Sequence, residues 1–270
     1  MIHYLLSADN LNKFKNRIKN KNIILFLDYD GTLALFKDNP AEAVPFPGIK
    51  NILKKLIDKK DIYISIISGR DLNSLNSLIN LEGINYAGTH GLEIKMQDRF
   101  REENNINNTE INGKIDYKIL ENIKNYFDRL IPENDYLKYE DKGIAVAFHY
   151  PDSYKIDKII QELRNKIDNK NMEIIKGRNV IEVRPSGWNK GHAVNFIKKY
   201  IIENTRNKNN NDYISVYIGD DTTDEDAFKA LDGINIYVKN EDELTTHADY
   251  YLNNPKEVFM ILKVIAKNYT

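Results

Sequence analysis

Five consecutive apolar residues, Ile23–Leu27, run directly into Asp28-Tyr29-Asp30-Gly31-Thr32. An apolar run rich in branched side chains and cut off so abruptly reads as a buried strand that ends in a polar loop. The pattern recurs. Ile62–Ile67 ends at Ser68-Gly69-Arg70, and Tyr213–Ile218 ends at Gly219-Asp220-Asp221. A shorter strand near Ile84–Ala87 leads into Gly88-Thr89-His90-Gly91. Helical stripes lie between the early strands. Ile49, Ile52, Leu53, Leu56 and Ile57 follow Pro47-Gly48, and Leu72, Leu75, Leu78 and Ile79 follow Asp71, a candidate N-cap. Buried strands alternating with crossover helices call for a parallel sheet. Ligands of such sheets bind beyond the carboxyl ends of the strands, so the polar clusters are expected to converge in space.

The pattern then changes. Residues 97–114 are polar and read as a hairpin plus a linker. Ile115–Ile131 has helical periodicity, and Gly143–His149 alternates Ile144, Val146 and Phe148 with Ala145, Ala147 and His149, as a half-buried antiparallel strand does. Ile156, Ile159, Ile160, Leu163 and Ile167 form another helical stripe, and Met172–Lys176 with Val180–Arg184 reads as a hairpin around Gly177-Arg178-Asn179. The first pattern returns after Pro185. A helix begins near Lys190 with Val194, Phe196, Ile197 and Ile201, a polar loop covers 203–212, a short strand spans Ile234–Val238, and a last helix spans Pro255–Ala266. The expected organisation is an α/β domain made of 1–107 and 184–270, interrupted by an inserted α+β domain at 108–183.

Composition removes several functions. The chain has 270 residues and a net charge of −1, which gives no basic face for nucleic acid. It has no cysteine, so disulfides, thiolate metal sites and cysteine nucleophiles are excluded. No apolar run approaches the ~20 residues that span a bilayer. The stretch Met1–Ser7 is too short for a secretory leader and no basic segment precedes it. A cytoplasmic monomer acting on a small molecule, without nucleic acid or membrane, is the expectation.

Asp28 and Asp30 point to the same side of an extended chain, where one can attack and the other can handle protons. Gly31 lets the backbone approach a ligand closely. An Asp- and Gly-rich turn without chemistry is the bland alternative. Ser68-Gly69 is by itself an ordinary turn, although at a strand end before a helix its hydroxyl and amides can hold a phosphate oxygen. Residues 220–225 carry four carboxylates. Such density favours a cation, and Mg²⁺ prefers oxygen ligands and bridges one or two carboxylates to a phosphate. The competing reading is an acidic first helical turn, which Asp224 and Glu225 suit. Lys190 opens a helix against the dipole, which an anionic partner would explain.

Together these motifs resemble the haloacid dehalogenase-like superfamily of phosphohydrolases, over about residues 22–265. The resemblance implies a Rossmann-like parallel-sheet core with an inserted C2-type α+β cap. It implies that Asp28 is the nucleophile, Asp30 the general acid and base, Ser68 a phosphate ligand and Lys190 the neutralising cation. It also implies Mg²⁺ held by Asp28, Asp30 and Asp220, with Asp221 in support. A narrower set is similar to the trehalose-6-phosphate phosphatase family, which serves trehalose biosynthesis. It comprises Gly88-Thr89-His90-Gly91, Glu140-Asp141-Lys142, His149-Tyr150, Glu182-Val183-Arg184-Pro185, Asn189-Lys190-Gly191 and Gly219–Phe228. That likeness implies sugar contacts from Glu140, Lys142 and Glu182, with Gly69, Arg70 and His90 completing the substrate site. Pro151 stands where the family often has a basic residue. By residues alone, Glu140 and Lys142 could be a surface ion pair and His90 a packed turn histidine. The rivals are another capped sugar phosphatase, of sucrose-phosphate or mannosylphosphoglycerate type, a phosphomutase, and a non-catalytic sugar-phosphate-binding module that regulates a synthase. A binder has no need of a nucleophile, which argues against the last.

Overall fold

The computed structural model describes residues 2–37, 42–97, 105–106, 116–131, 136–167, 171–177, 179–205, 212–239 and 245–269. The chain divides into two compact units, one of residues 1–106 with 189–270 and one of 107–188. The second unit runs to Trp188, past the expected boundary at 183. Its last residues are tied back into it by the bond from Ser186 N to Asn171 O at 2.8 Å.

In chain order the first unit begins with β1 (His3–Tyr4), α1 (Ala8–Ile18), β2 (Asn22–Leu27), α2 (Ile49–Ile57), β3 (Ile62–Ile67), α3 (Leu72–Ile79), β4 (Ile84–Gly88), β5 (Glu93–Lys95) and β6 (Asn105–Ile106). The second unit holds α4 (Tyr117–Leu130), β7 (Lys138–Asp141), β8 (Val146–His149), α5 (Asp157–Arg164), β9 (Met172–Gly177) and β10 (Val180–Pro185). The chain then returns with α6 (Lys190–Asn204), β11 (Tyr213–Gly219), α7 (Asp224–Ala230), β12 (Gly233–Val238), β13 (Tyr250–Leu252) and α8 (Pro255–Asn268).

Among the described residues the first unit has one nine-stranded sheet, in the order β1-β13-β12-β11-β2-β3-β4-β5-β6. Every pairing from β1 to β4 is parallel, and β5 and β6 are added antiparallel at one edge. The order reveals a reversal. After β2 the chain adds β3 and β4 on one side, and after the insertion it adds β11, β12 and β13 on the other. The β2–β11 junction is therefore the topological switch point, where open α/β sheets bind ligands. Register places Leu27 opposite Ile218 and Ile66, so three loops leave the sheet at adjacent carboxyl ends. The core beneath them is built from Ile23, Leu25 and Leu27 of β2 against Leu53 and Leu56 of α2 and Ile261, Leu262 and Ile265 of α8. Asp71 caps α3 through Ser74 N, as expected, and Asn189 caps α6 through His192 N.

The α+β unit is an antiparallel sheet in the order β7-β8-β10-β9. One face packs on α4 and α5 through Phe127, Leu163, Phe148, Ile181 and Val183. Phe127 and Phe148 stack with ring centroids 4.4 Å apart. The strand expected at 143–149 starts only at Val146, because Gly143 (φ 78°) turns the chain between β7 and β8. β1, α1, β7 and β13 were not anticipated from sequence. Most of the polar stretch 97–114, the centre of the loop 203–212 and Arg178 lie outside the described residues. No described helix is long and apolar enough to cross a membrane.

Candidate active site

The switch point fixes the first member of the site. Asp28 continues β2 by one residue, its N–H donating to Ile218 O at 2.9 Å, and its side chain is buried at the sheet end. Asp220 occupies the matching position after β11 and is equally buried. Asp28, Asp220 and Asp224 each present a carboxylate oxygen, and these oxygens lie within 4.8 Å of one another. Lys190, in the first turn of α6, is 2% exposed. Its Nζ donates to Asp28 Oδ1 at 2.8 Å and to Asp224 Oδ1 at 2.7 Å. Gly31 makes room for the cluster. It sits at φ 75°, and a Cβ there would meet Asp220 Oδ2 at 2.0 Å. The adjoining Thr32 hydroxyl donates to Asp220 Oδ1 at 3.2 Å.

Asp224 is the member that the sequence assigned to an acidic helix start. In the fold it is fully buried. Its Oδ1 accepts from Lys190 at 2.7 Å and from the Tyr217 hydroxyl at 2.6 Å. Its Oδ2 accepts from the backbone N–H groups of Asp220 (3.0 Å) and Asp221 (2.9 Å). Two bonds to each oxygen fill the lone-pair capacity of a carboxylate. Gly219 permits this approach, since a Cβ there would stand 2.3 Å from Asp224 Cγ. Asp221 lies outside the cluster. It is exposed, and its Oδ1 accepts from Thr222 N and Thr222 Oγ1.

The electrostatics follow from burial. Burial, against the opposing pull of Lys190 and with Asp224 and Asp30 adding to it, lifts the Asp28 carboxyl to about 7. Burial and the neighbouring Asp28 and Asp224 hold Asp220 well above the ordinary carboxylate range. Burial opposes the charge on Lys190, yet Asp224 and Asp28 more than offset it and hold the ammonium above its ordinary value. Three carboxylates face one ammonium. The deficit, together with a donor set made only of oxygen, fits a hard divalent cation such as Mg²⁺. Asp28 and Asp220 are the ligands with capacity left, since Asp224 is already saturated.

Asp30 is brought beside Arg70. Arg70 Nε donates to Asp30 Oδ2 and Arg70 Nη2 to Asp30 Oδ1, both at 2.7 Å, and the guanidinium lies 5.2 Å from the centre of the Tyr29 ring. Ser68 is buried at the end of β3, and its Oγ accepts from Arg70 N at 3.2 Å. His90 donates its N–H to Ser68 O at 2.8 Å. Its ring lies against Gly69, where a Cβ would come within 2.8 Å of it. Thr89 and His90 both have left-handed backbones, at φ 48° and 56°. Two such non-glycine residues in succession are costly, and strain of this kind collects at functional sites.

Within the α+β unit, Lys142 reaches Glu182, with Nζ 2.6 Å from Oε2 and both side chains 8% exposed. Lys142, just past the end of β7, thus takes part in a buried pair with Glu182 of β10, where the sequence left open a surface pair with Glu140. Glu182 Oε1 is buried and makes no hydrogen bond among the described residues, with Arg184 Nη1 4.0 Å away. Glu140, half-exposed on β7, has His149 Nε2 at 3.7 Å.

The family model for trehalose-phosphatase matches residues 26–255. The chain belongs to the trehalose-phosphatase family. It is 30% identical over 262 residues to trehalose 6-phosphate phosphatase RA3 of Zea mays, covering 92% of this chain and 71% of that one. Among solved structures, a trehalose-6-phosphate phosphatase related protein superposes with a TM-score of 0.70 at 27% identity, over 90% of this chain and 97% of that one. The C-terminal domain of C. albicans trehalose-6-phosphate phosphatase shares the fold with a TM-score of 0.79, over 100% of both chains, at 24% identity. The haloacid dehalogenase-like α/β core expected from the motifs is the fold of this trehalose-phosphatase family member.

Proposed function

We propose that this protein hydrolyses trehalose 6-phosphate to trehalose and inorganic phosphate through an aspartyl-phosphate on Asp28. The observation that carries the reading is the buried pairing of Asp28 with Lys190 at the switch point of the sheet. A fully buried carboxylate with one cation, beside two further carboxylates, is costly to the fold and is explained by use as a nucleophile.

A carboxylate oxygen of Asp28 attacks phosphorus as the bond from phosphorus to the sugar oxygen breaks. Asp30 gives its proton to that oxygen. Asp30 then takes a proton from water, whose oxygen attacks the aspartyl-phosphate and frees Asp28 and phosphate. The bidentate pair with Arg70 suits Asp30 as a base. Proton donation requires that fork to open, and a bound phosphate is the anion that competes for a guanidinium. Lys190 balances charge on Asp28 and on the phosphoryl oxygens, and the Ser68 hydroxyl and Gly69 amide supply donors. Mg²⁺ held by Asp28, Asp220 and the Asp30 carbonyl would neutralise phosphoryl charge.

Sugar recognition is assigned to Glu140, Lys142 and Glu182 of the α+β unit. The unbonded Oε1 of Glu182 supports this, because a buried acceptor without a donor gains from a sugar hydroxyl. His90 is kept as a phosphate-side residue through its contact with Gly69. A cytoplasmic monomer is the form proposed, in keeping with a sequence free of cysteine.

The test is phosphate release from trehalose 6-phosphate, sucrose 6-phosphate, mannosylphosphoglycerate and glucose 6-phosphate. A preference for trehalose 6-phosphate of about 10²-fold in kcat/KM is expected. Equal rates on all four would refute the sugar assignment. Binding without phosphate release would make the chain a regulatory module.

A further inference from the structure

Tyr217 lies in β11 and is completely buried. Its ring is fixed from two sides, stacked on Phe26 with centroids 6.3 Å apart and edge-on to Phe228 at 5.5 Å. Phenylalanine would fill such an aromatic pocket equally well. The hydroxyl therefore needs its own explanation, because a buried phenol is tolerated only where its O–H finds a partner. Its partner is Asp224 Oδ1, at 2.6 Å. The same oxygen accepts from Lys190, which also donates to Asp28. A single chain of hydrogen bonds thus runs from Tyr217 through Asp224 and Lys190 to Asp28.

Lysine is a poor positioning device alone. Its ammonium sits on a flexible four-carbon stem and its donors rotate freely. Its aim depends on its anchor, which here is Asp224. Two backbone amides fix Asp224 Oδ2. Tyr217 is the second donor to Oδ1, and it adds a donor without adding charge. Without that hydroxyl, Oδ1 would be bonded to Lys190 alone and would draw the ammonium toward itself. The bond from Lys190 to Asp28 would weaken.

We propose that Tyr217 is a positioning residue that acts through Asp224 to hold Lys190 against the nucleophile Asp28. The proposal rests on the reading that Asp28 and Lys190 carry the phosphoryl transfer. Tyr217→Phe removes one oxygen atom and keeps the ring. On trehalose 6-phosphate, kcat should fall about tenfold, the low end of what losing a hydrogen bond to a charged group costs. KM should stay within about twofold, and so should the Mg²⁺ Kd read by calorimetry without substrate. In an Asp224→Asn background, Tyr217→Phe should cost less than about twofold more, as coupled residues require. Activity is scored per folded molecule, with the folded fraction read from near-ultraviolet circular dichroism. Should Tyr217→Phe not fold, Tyr217→Leu is measured by the same criteria. An unchanged kcat, a matching loss of Mg²⁺ affinity, or a full additional loss in the Asp224→Asn background would each overturn the proposal. An active Asp28→Asn variant would instead overturn the underlying mechanism, so the two failures are distinct.

Discussion

Replacing Asp28 by Asn should abolish turnover and stabilise the fold, and the two effects share one cause. Burial lifts the Asp28 carboxyl from 3.8 to about 7, with the attraction of Lys190 already included. The folded state therefore holds a proton on Asp28 that the unfolded chain has released between about pH 4 and pH 7, and metal-free stability falls as pH rises through that window. Above it, the ionised side chain costs the fold at most about 4 kcal/mol, at 1.36 kcal/mol per pKa unit. Relaxation and water entry reduce such penalties, so about 2 kcal/mol is the working figure. Asn keeps the shape and carries no charge. In EDTA at about pH 8 the Tm of the α/β unit should rise by roughly 4–8 °C, and at about pH 5, where Asp28 is already protonated, it should hardly move. Turnover should fall by at least ~10³-fold, about 4 kcal/mol of barrier. Thermal melts by circular dichroism and a phosphate-release assay read both effects. An equal change in Tm at the two pH values would refute the electrostatic reasoning, and near-normal turnover would mean that Asp28 is not the nucleophile.

Chelation should abolish turnover and Mg²⁺ should restore it. The ion should also raise Tm more at about pH 8 than at about pH 5, since Asp28 and Asp220 bind it as carboxylates; full activity in EDTA would remove the metal from the scheme. Gly31→Ala places a Cβ 2.0 Å from Asp220 Oδ2 at a left-handed φ. Mg²⁺ affinity, measured by calorimetry, should drop at least ~10-fold, and an unchanged affinity would show that Asp220 is not a ligand. Glu182→Gln should lower kcat/KM for trehalose 6-phosphate by ~10²-fold, about 2.7 kcal/mol, while a small aryl phosphate changes little. Equal losses on both substrates would make Glu182 structural.

The legible parts of the fold were those set by local pattern. β2, β3, β4 and β11 are runs buried on both faces, and α2 and α3 carry continuous apolar stripes, so their positions follow from the residues themselves. β1 and β13 are two and three residues long, and they exist because each pairs with a strand distant in sequence. α1 was overlooked for a different reason. Its buried side chains are only Phe14 and Ile18, on an otherwise polar helix, so its stripe is thin. β7 reads Lys-Tyr-Glu-Asp and is mostly exposed, so its strand character comes from β8 and not from burial.

The site divides along the same line. Asp28, Ser68 and Asp220 were legible because each ends a buried strand, and a parallel sheet brings such ends together. Asp224 was not, because an acidic residue in a first helical turn has an ordinary explanation in the helix dipole. Its real place depends on Gly219, which admits its carboxyl, and on Tyr217, which faces it from within the sheet. No spacing rule shows that a tyrosine inside a buried strand points its hydroxyl at a helix start. A chain can thus announce its nucleophile by position alone, while the groups that aim the neighbouring cation are identified only by the hydrogen bonds they make. One cue was nonetheless present in the sequence. Tyr217 puts a phenol near the end of a buried strand, three residues before Asp220, and most buried hydroxyls find an acceptor. The carboxylates just beyond the strand end were the nearest charged candidates.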